Sequence, residues 1–380
     1  MLAAQDFAPL AGKRVGLITN ATGVDRALRS TADLLHESPE VELVALFAPE
    51  HGVRGDRPAG ERIASYTDET TGLPVHSLYG RTRAPTPEML AGLDVLVYDI
   101  QDIGVRSYTY ISTLGLAMGA AARAGVAVLV LDRPNPLGGE RVEGAPVEPG
   151  HETFVGAYPI PYVYGLTVGE LAQMMVGEGW LGEDLTVDLE VVPLEGWRRD
   201  MDFRATGLPW VMTSPHIPTP ESAAFYAATG ILGELQVLSE GVGYTAPFRF
   251  IGAPWIEPAR FAAELNALGL PGVHFRPVHY TPFYGRDQGK ALGGVELHLR
   301  DPAQAPLMAI QLHALAVHNR LYPQHDAFAR AATDRLRMFD HVAGGPRLRA
   351  ALMEGGNAWQ AELERGVATF QERAARYYLY

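Results

Sequence analysis

Val41-Glu42-Leu43-Val44-Ala45-Leu46-Phe47-Ala48, running into Pro49-Glu50-His51-Gly52, is the stretch that decides the fold. A run this apolar, rich in branched side chains, reads as a strand buried on both faces, the mark of a parallel sheet. The pattern recurs. Val95 to Tyr98 leads into Asp99-Ile100-Gln101-Asp102-Ile103-Gly104-Val105-Arg106, and Val126 to Leu131 into Asp132-Arg133-Pro134-Asn135-Pro136-Leu137-Gly138-Gly139. Upstream, Arg14 to Thr19 is a strand, Asn20 to Asp25 a loop and Ser30 to Glu37 a helix, while Thr109 to Ala124 is the longest helix between strands. This alternation predicts an α/β fold with a doubly wound parallel sheet. Open sheets of that kind bind ligands at the carboxyl ends of their strands, where the acids of these loops converge.

A chain of 380 residues exceeds what one hydrophobic core usually serves. The segment from Trp210 to Glu221 holds three prolines in Pro215-His216-Ile217-Pro218-Thr219-Pro220 and cannot be regular, so it reads as a crossing between two domains, 1–230 and 231–380. The second half is again mixed α/β. Its strand-like runs are Phe248 to Ile251, Val273 to Tyr280 and Val295 to Arg300, and its helix-like runs Ala259 to Leu268 and Leu307 to Leu321. Thr167 with Glu170 forms a capping box that opens a helix to about Glu178. The 31 basic residues against 44 acids give a net charge of -13, which argues against nucleic acid and anionic membrane surfaces as partners. The absence of cysteine removes thiolate nucleophiles, disulfides and zinc-thiolate sites. With no basic n-region at the start and no apolar run of about 18 residues, the expectation is a soluble, cytoplasmic protein.

Glu50 is the sharpest catalytic candidate. Between Pro49 and His51, beyond a strand, its carboxyl group can be partly desolvated, which favours the protonated form and suits it to donate a proton near neutral pH. The bland alternative is a solvated loop acid. Asp99 and Asp102 are further candidates, with Arg106 to position an acid or grip an anion; the alternative is an internal ion pair that pins the loop. Tyr108 and Tyr110 could wall a sugar pocket or simply cap a helix from within. Asp132, Arg133 and Asn135 place an acid, a guanidinium and an amide on a stiff turn suited to sugar recognition. The histidines, among them His51, His216 and His279, show no H-E-x-x-H or other ligand spacing, so no metal is expected. No G-x-S-x-G elbow and no phosphate-loop pattern occurs. Ser239 to Phe248, a glycine-rich loop carrying Tyr244, could close over a cleft from the second domain.

Taken together, Gly16-Leu17-Ile18-Thr19-Asn20, Pro49-Glu50-His51-Gly52, Asp99 to Gly104 with Arg106 and Tyr108-Thr109-Tyr110, Asp132 to Pro136, Ser214 to Pro218 and the Ser239 to Phe248 loop resemble the NamZ-like exo-β-N-acetylmuramidases. The resemblance covers most of the chain. It implies a Rossmann-like amino-terminal domain, a smaller carboxy-terminal α/β domain, a cleft between them and a cofactor-independent glycosidase. Its acid falls on Glu50, and its implied reaction is release of N-acetylmuramic acid (MurNAc) from non-reducing ends of peptidoglycan fragments. The chain departs from the family at Gly243-Tyr244-Thr245, where a more polar loop is expected, and at Leu292, where cysteine is frequent. Asp99, Asp102 and Asp132 are the candidates for a second acid, with assistance by the substrate N-acetyl group as the alternative. The 3-O-lactyl carboxylate of MurNAc calls for a cation, and Arg106 and Arg133 are first choices, with Arg54 and Arg57 as runners-up on the Glu50 loop. The rival functions are a non-catalytic muropeptide-binding protein and an amidase or lactyl-ether-cleaving hydrolase of the same substrates.

Overall fold

The computed structural model describes residues 2–56, 58, 60–61 and 64–380; Arg57 lies outside the described residues. The first part of the chain runs β1 (Arg14–Thr19), α1 (Thr31–Glu37), β2 (Glu42–Ala48), β3 (Tyr66–Thr67), β4 (Pro74–Ser77), α2 (Pro87–Leu90), β5 (Val95–Asp99), α3 (Tyr110–Ala124), β6 (Ala127–Leu131), α4 (Val168–Gly177) and β7 (Leu189–Val192). The strands form one sheet in the order β3-β4-β2-β1-β5-β6-β7, parallel except for β3. Chain order reverses between β1 and β5, which makes that pair the switch point of a Rossmann-like sheet. Ile18 pairs with Phe47 and Tyr98, Thr19 with Asp99, and Ala48 with Ser77, so the loops that follow leave from one edge.

Alternate residues of each strand face opposite ways, which is why the strands read as unbroken apolar runs. Ile18, Phe47 and Tyr98 pack with Leu114, Met118 and Leu171 of α3 and α4, whereas Leu17, Leu46 and Val97 pack with Leu35 of α1. Helix α4 opens with the expected capping box: Thr167 accepts from the Glu170 N–H, and the Glu170 carboxylate from the Thr167 N–H.

The second part contains α5 (Ser222–Glu234), β8 (Phe250–Ala253), α6 (Pro258–Asn266), β9 (Val273–Tyr280), β10 (Leu292–Leu299) and α7 (Leu307–Leu321), with more helices from Ala327 to Ala374. Its strands make an antiparallel sheet in the order β8-β10-β9. Strand β10 begins three residues before the sequence-based expectation, at Leu292-Gly293-Gly294. The glycines discourage a strand reading, yet a Cβ on Gly294 would lie 2.1 Å from the Ile251 carbonyl oxygen, so close strand approach requires them. Gly230 lies inside α5, which packs on α7, so a boundary at 230 falls within a helix. The core of this part also includes Ile103, Val105, Tyr162 and Val163 from the first. No helix among the described residues is long and apolar enough to cross a membrane.

Candidate active site

Glu50 stands just beyond β2, on a turn closed by the Gly52 N–H donating to the Pro49 carbonyl at 3.2 Å. His51 (φ 73°) and Gly52 (φ 78°) are both left-handed, a conformation costly for a histidine and a sign that the surrounding structure dictates this turn. Half-buried, Glu50 accepts through Oε1 from the Gly60 N–H at 2.8 Å and through Oε2 from the Thr109 hydroxyl at 3.3 Å. Thr109 caps the start of α3, so the carboxyl group sits beside that helix terminus.

Tyr79, from the loop after β4, completes one wall. Burial, followed by the charge of Glu50, pushes its phenol up, while the neighbouring Arg83 guanidinium opposes the shift. The Arg83 guanidinium lies 3.7 Å from the centroid of the Tyr79 ring and 4.4 Å from that of Phe154. Tyr108 and Tyr110 form the floor with their rings edge to face. Each is pushed up, chiefly by burial, and each also feels Glu50. Their hydroxyls hold the irregular crossing: Tyr108 donates to Thr213 Oγ1 at 2.8 Å and Tyr110 to the Thr213 carbonyl at 2.6 Å.

That anchorage brings His216 to the site. Burial lowers its pKa, and the proximity of His51 lowers it further. Its ring stacks on Tyr284 of the second sheet's loop, with centroids 6.1 Å apart and planes 13° from parallel. Tyr284 is held in turn by backbone N–H groups of Phe283 and Tyr284 donating to the Gly243 carbonyl. Tyr244 packs against Phe250, Tyr280 and Phe283.

The other expected site residues lie at the same sheet edge but are occupied by the fold. Asp99 accepts from the Thr31 hydroxyl at 2.6 Å and from Arg133 Nε at 2.6 Å, and Arg133 also donates to the Val24 carbonyl. Both side chains line a separate cavity of about 470 Å³ with Trp197 and Trp210. Asp132 takes the Gly169 N–H, the hydroxyls of Thr167 and Tyr380 and the Arg133 N–H, which fastens β6 to the start of α4. Asn135 donates to the Leu166 carbonyl, accepts from the Leu137 N–H and packs under Gly104, where a Cβ would lie 2.2 Å from its Oδ1. Arg106 is fully buried and donates to the carbonyls of Ala145, Ile160 and Val342, so it is a post joining the two parts of the chain. Arg54 binds Asp33 and Asp68, which drives Asp68 down to about 2. Asp102 accepts from the Tyr164 hydroxyl and the Gly104 N–H, and burial pushes it up to about 6; its Oδ1 has no hydrogen-bond partner among the described residues. No cluster of three or more potential metal ligands occurs among the described residues.

Sequence reasoning missed Tyr79, Arg83, Phe154 and Tyr284. Their only signal was positional, since Leu78 to Arg83 follows a fourth strand of the same sheet. That strand, Pro74-Val75-His76-Ser77, is too short and polar to read as one.

The family model described as exo-beta-N-acetylmuramidase NamZ, N-terminal, matches residues 15–221, and its C-terminal counterpart matches residues 224–380. The chain belongs to the NamZ family. The peptidoglycan beta-N-acetylmuramidase NamZ of Bacillus subtilis (strain 168) is 44% identical over 373 residues, covering 98% of this chain and 88% of that protein. Two crystal structures of DUF1343 family proteins from Bacteroides fragilis share the fold. One is 50% identical with a TM-score of 0.96, the other 27% identical with a TM-score of 0.79, and each match covers 100% of this chain and 97% of the other. The Rossmann-like sheet with a smaller α/β unit, expected from the NamZ-like motifs, is the architecture of this chain.

Proposed function

We propose that the protein is an exo-acting glycoside hydrolase that releases MurNAc from the non-reducing ends of peptidoglycan fragments such as MurNAc-GlcNAc (GlcNAc, N-acetylglucosamine), with Glu50 as the group that protonates the leaving oxygen. Membership of the NamZ family supports the reaction. The observation that carries the residue assignment is the contrast among the strand-end acids: Glu50 is half exposed, whereas Asp99, Asp102 and Asp132 are buried among donors of their own fold.

That contrast also bears on the second half of the reaction. With those aspartates enclosed, the 2-acetamido carbonyl of the substrate serves as nucleophile at C1 while Glu50 gives its proton to the departing oxygen of GlcNAc. Water then opens the cyclic oxazolinium ion, returning its proton to Glu50, and the sugar leaves with its configuration retained. An inverted product would favour Asp102, whose Oδ1 lacks a partner among the described residues, as the base. A binding protein without turnover is disfavoured by the family assignment, and the net charge of -13 disfavours nucleic acid as a partner. Incubation with MurNAc-GlcNAc and product analysis by mass spectrometry and proton NMR tests the reading. Free MurNAc and GlcNAc, with MurNAc first appearing in the β configuration, are expected. Unchanged disaccharide, or release of lactate, would contradict it.

A further inference from the structure

We propose that Arg83 is the specificity-determining residue that receives the 3-O-lactyl carboxylate of the muramyl unit. This inference rests on the muramidase reading of the Glu50 site. The substrate is an anion in a chain of net charge -13, so a local cation must hold it. Three arginines that the sequence offers are already engaged: Arg54 by two aspartates, Arg106 by three carbonyls and Arg133 by Asp99.

Arg83 differs from each of them. No carboxylate is within salt-bridge distance of it among the described residues, and its Nη1, shielded from solvent, has no hydrogen-bond partner among them. Arg106 Nε and Arg249 Nε also lack a partner among the described residues, but Arg106 is fully enclosed and Arg249 pairs with Glu296, so Arg83 is the one of the three whose N–H an incoming carboxylate can take up. Contact with the Tyr79 and Phe154 rings, which are tilted to each other, holds the guanidinium in place without a carboxylate, and its remaining N–H groups can take one. Clamping in advance also lowers the ordering cost on binding.

Position supports the same role. The Glu50 and Arg83 loops leave neighbouring parallel strands, Ala48 beside Ser77, with the Leu78 N–H donating to the Ala48 carbonyl at 2.8 Å, so the two loops run side by side at the sheet edge. In the sugar, C1 carries the scissile oxygen and C3 the lactyl ether, with one ring carbon between them. A MurNAc whose glycosidic oxygen meets Glu50 therefore carries its carboxylate close to that oxygen, where a cation on the neighbouring loop can meet it.

The test crosses the enzyme variant with the substrate charge. kcat/KM is measured for wild type, Arg83→Gln and Arg83→Lys on aryl β-glycosides of MurNAc, of MurNAc with its lactyl carboxylate converted to the methylamide, and of GlcNAc. Arg83→Gln should reduce the ratio of MurNAc to GlcNAc activity by about 10- to 150-fold, the loss expected for a charge-assisted pair, and Arg83→Lys by less. Wild type should lose a similar factor on the methylamide, and the variant should lose little more. Equal losses on all three substrates would overturn the inference and make Arg83 a positioning residue for Tyr79 and Glu50. Binding of free MurNAc and GlcNAc by calorimetry needs no turnover and separates the inference from the muramidase reading. A MurNAc preference that disappears in Arg83→Gln supports it whatever the reaction, and a preference that survives overturns it.

Discussion

The loop after β2 and the loops after β5 and β6 leave the same edge of one sheet, and each begins with an acid near the strand end, yet they have opposite fates. Asp99 and Asp132 are saturated by hydroxyls, backbone N–H groups and a guanidinium, and they fix α1 and α4 to the sheet. Among the described residues Glu50 accepts from the Gly60 N–H and the Thr109 hydroxyl, and it remains half exposed. An acid at the carboxyl end of a parallel strand is thus only a candidate. Whether the fold supplies enough donors to saturate it decides between a structural post and a reactive group.

The largest effect should come from Glu50→Gln, which keeps the shape and removes the proton. Turnover of MurNAc-GlcNAc should fall by about 10²- to 10⁴-fold while the melting temperature stays close to that of the wild type. The counterpart is Asp132→Ala, which strips an acceptor from the Thr167 and Tyr380 hydroxyls and the Gly169 N–H. It should lower stability in urea by about 1–3 kcal/mol and leave kcat within a few-fold of wild type. If the two variants exchange these phenotypes, the division between post and reactive group is drawn in the wrong place.

A subtler separation comes from pH. Burial holds Asp102 at about 6, above the value of about 3.9 expected in the unfolded chain. An acid raised in this way keeps its proton in the folded chain where the unfolded chain has released it. Its stabilising contribution is therefore complete below about pH 4 and is lost as pH rises through about 6. The stability of Asp102→Asn relative to wild type should then increase between those values, by on the order of 1–3 kcal/mol. A difference that is flat with pH would place Asp102 in a wetter setting than its burial indicates. The smallest effect is expected at the second domain's wall: Tyr284→Ala removes the stack on His216, worth about 0.5–1.5 kcal/mol, and should raise KM roughly 2- to 12-fold with kcat little changed.

What could be read from the sequence follows the same division. Periodicity located β9 and α7 at their observed ends, and the strand-loop signature found loops that leave one edge of the sheet, because both depend on neighbours close in the chain. The roles of individual side chains depended on distant partners. Arg106 reads as an anion receptor in the sequence, but the Val342 carbonyl, far along the chain, occupies it, and Asp132 reads as a sugar-binding or second catalytic acid, but the Tyr380 hydroxyl occupies it. The contacts of Arg83 stayed hidden because one of the two rings against its guanidinium, Phe154, comes from another loop.

The most direct measurement of Glu50's role is the dependence of kcat/KM on leaving-group acidity. Aryl β-MurNAc glycosides spanning poor to good leaving groups are compared in wild type and Glu50→Gln. A good leaving group needs no proton, so the deficit of the variant should shrink steadily from about 10²-fold or more toward a few-fold as the phenol becomes more acidic. A deficit of the same size across the whole series would contradict proton donation by Glu50.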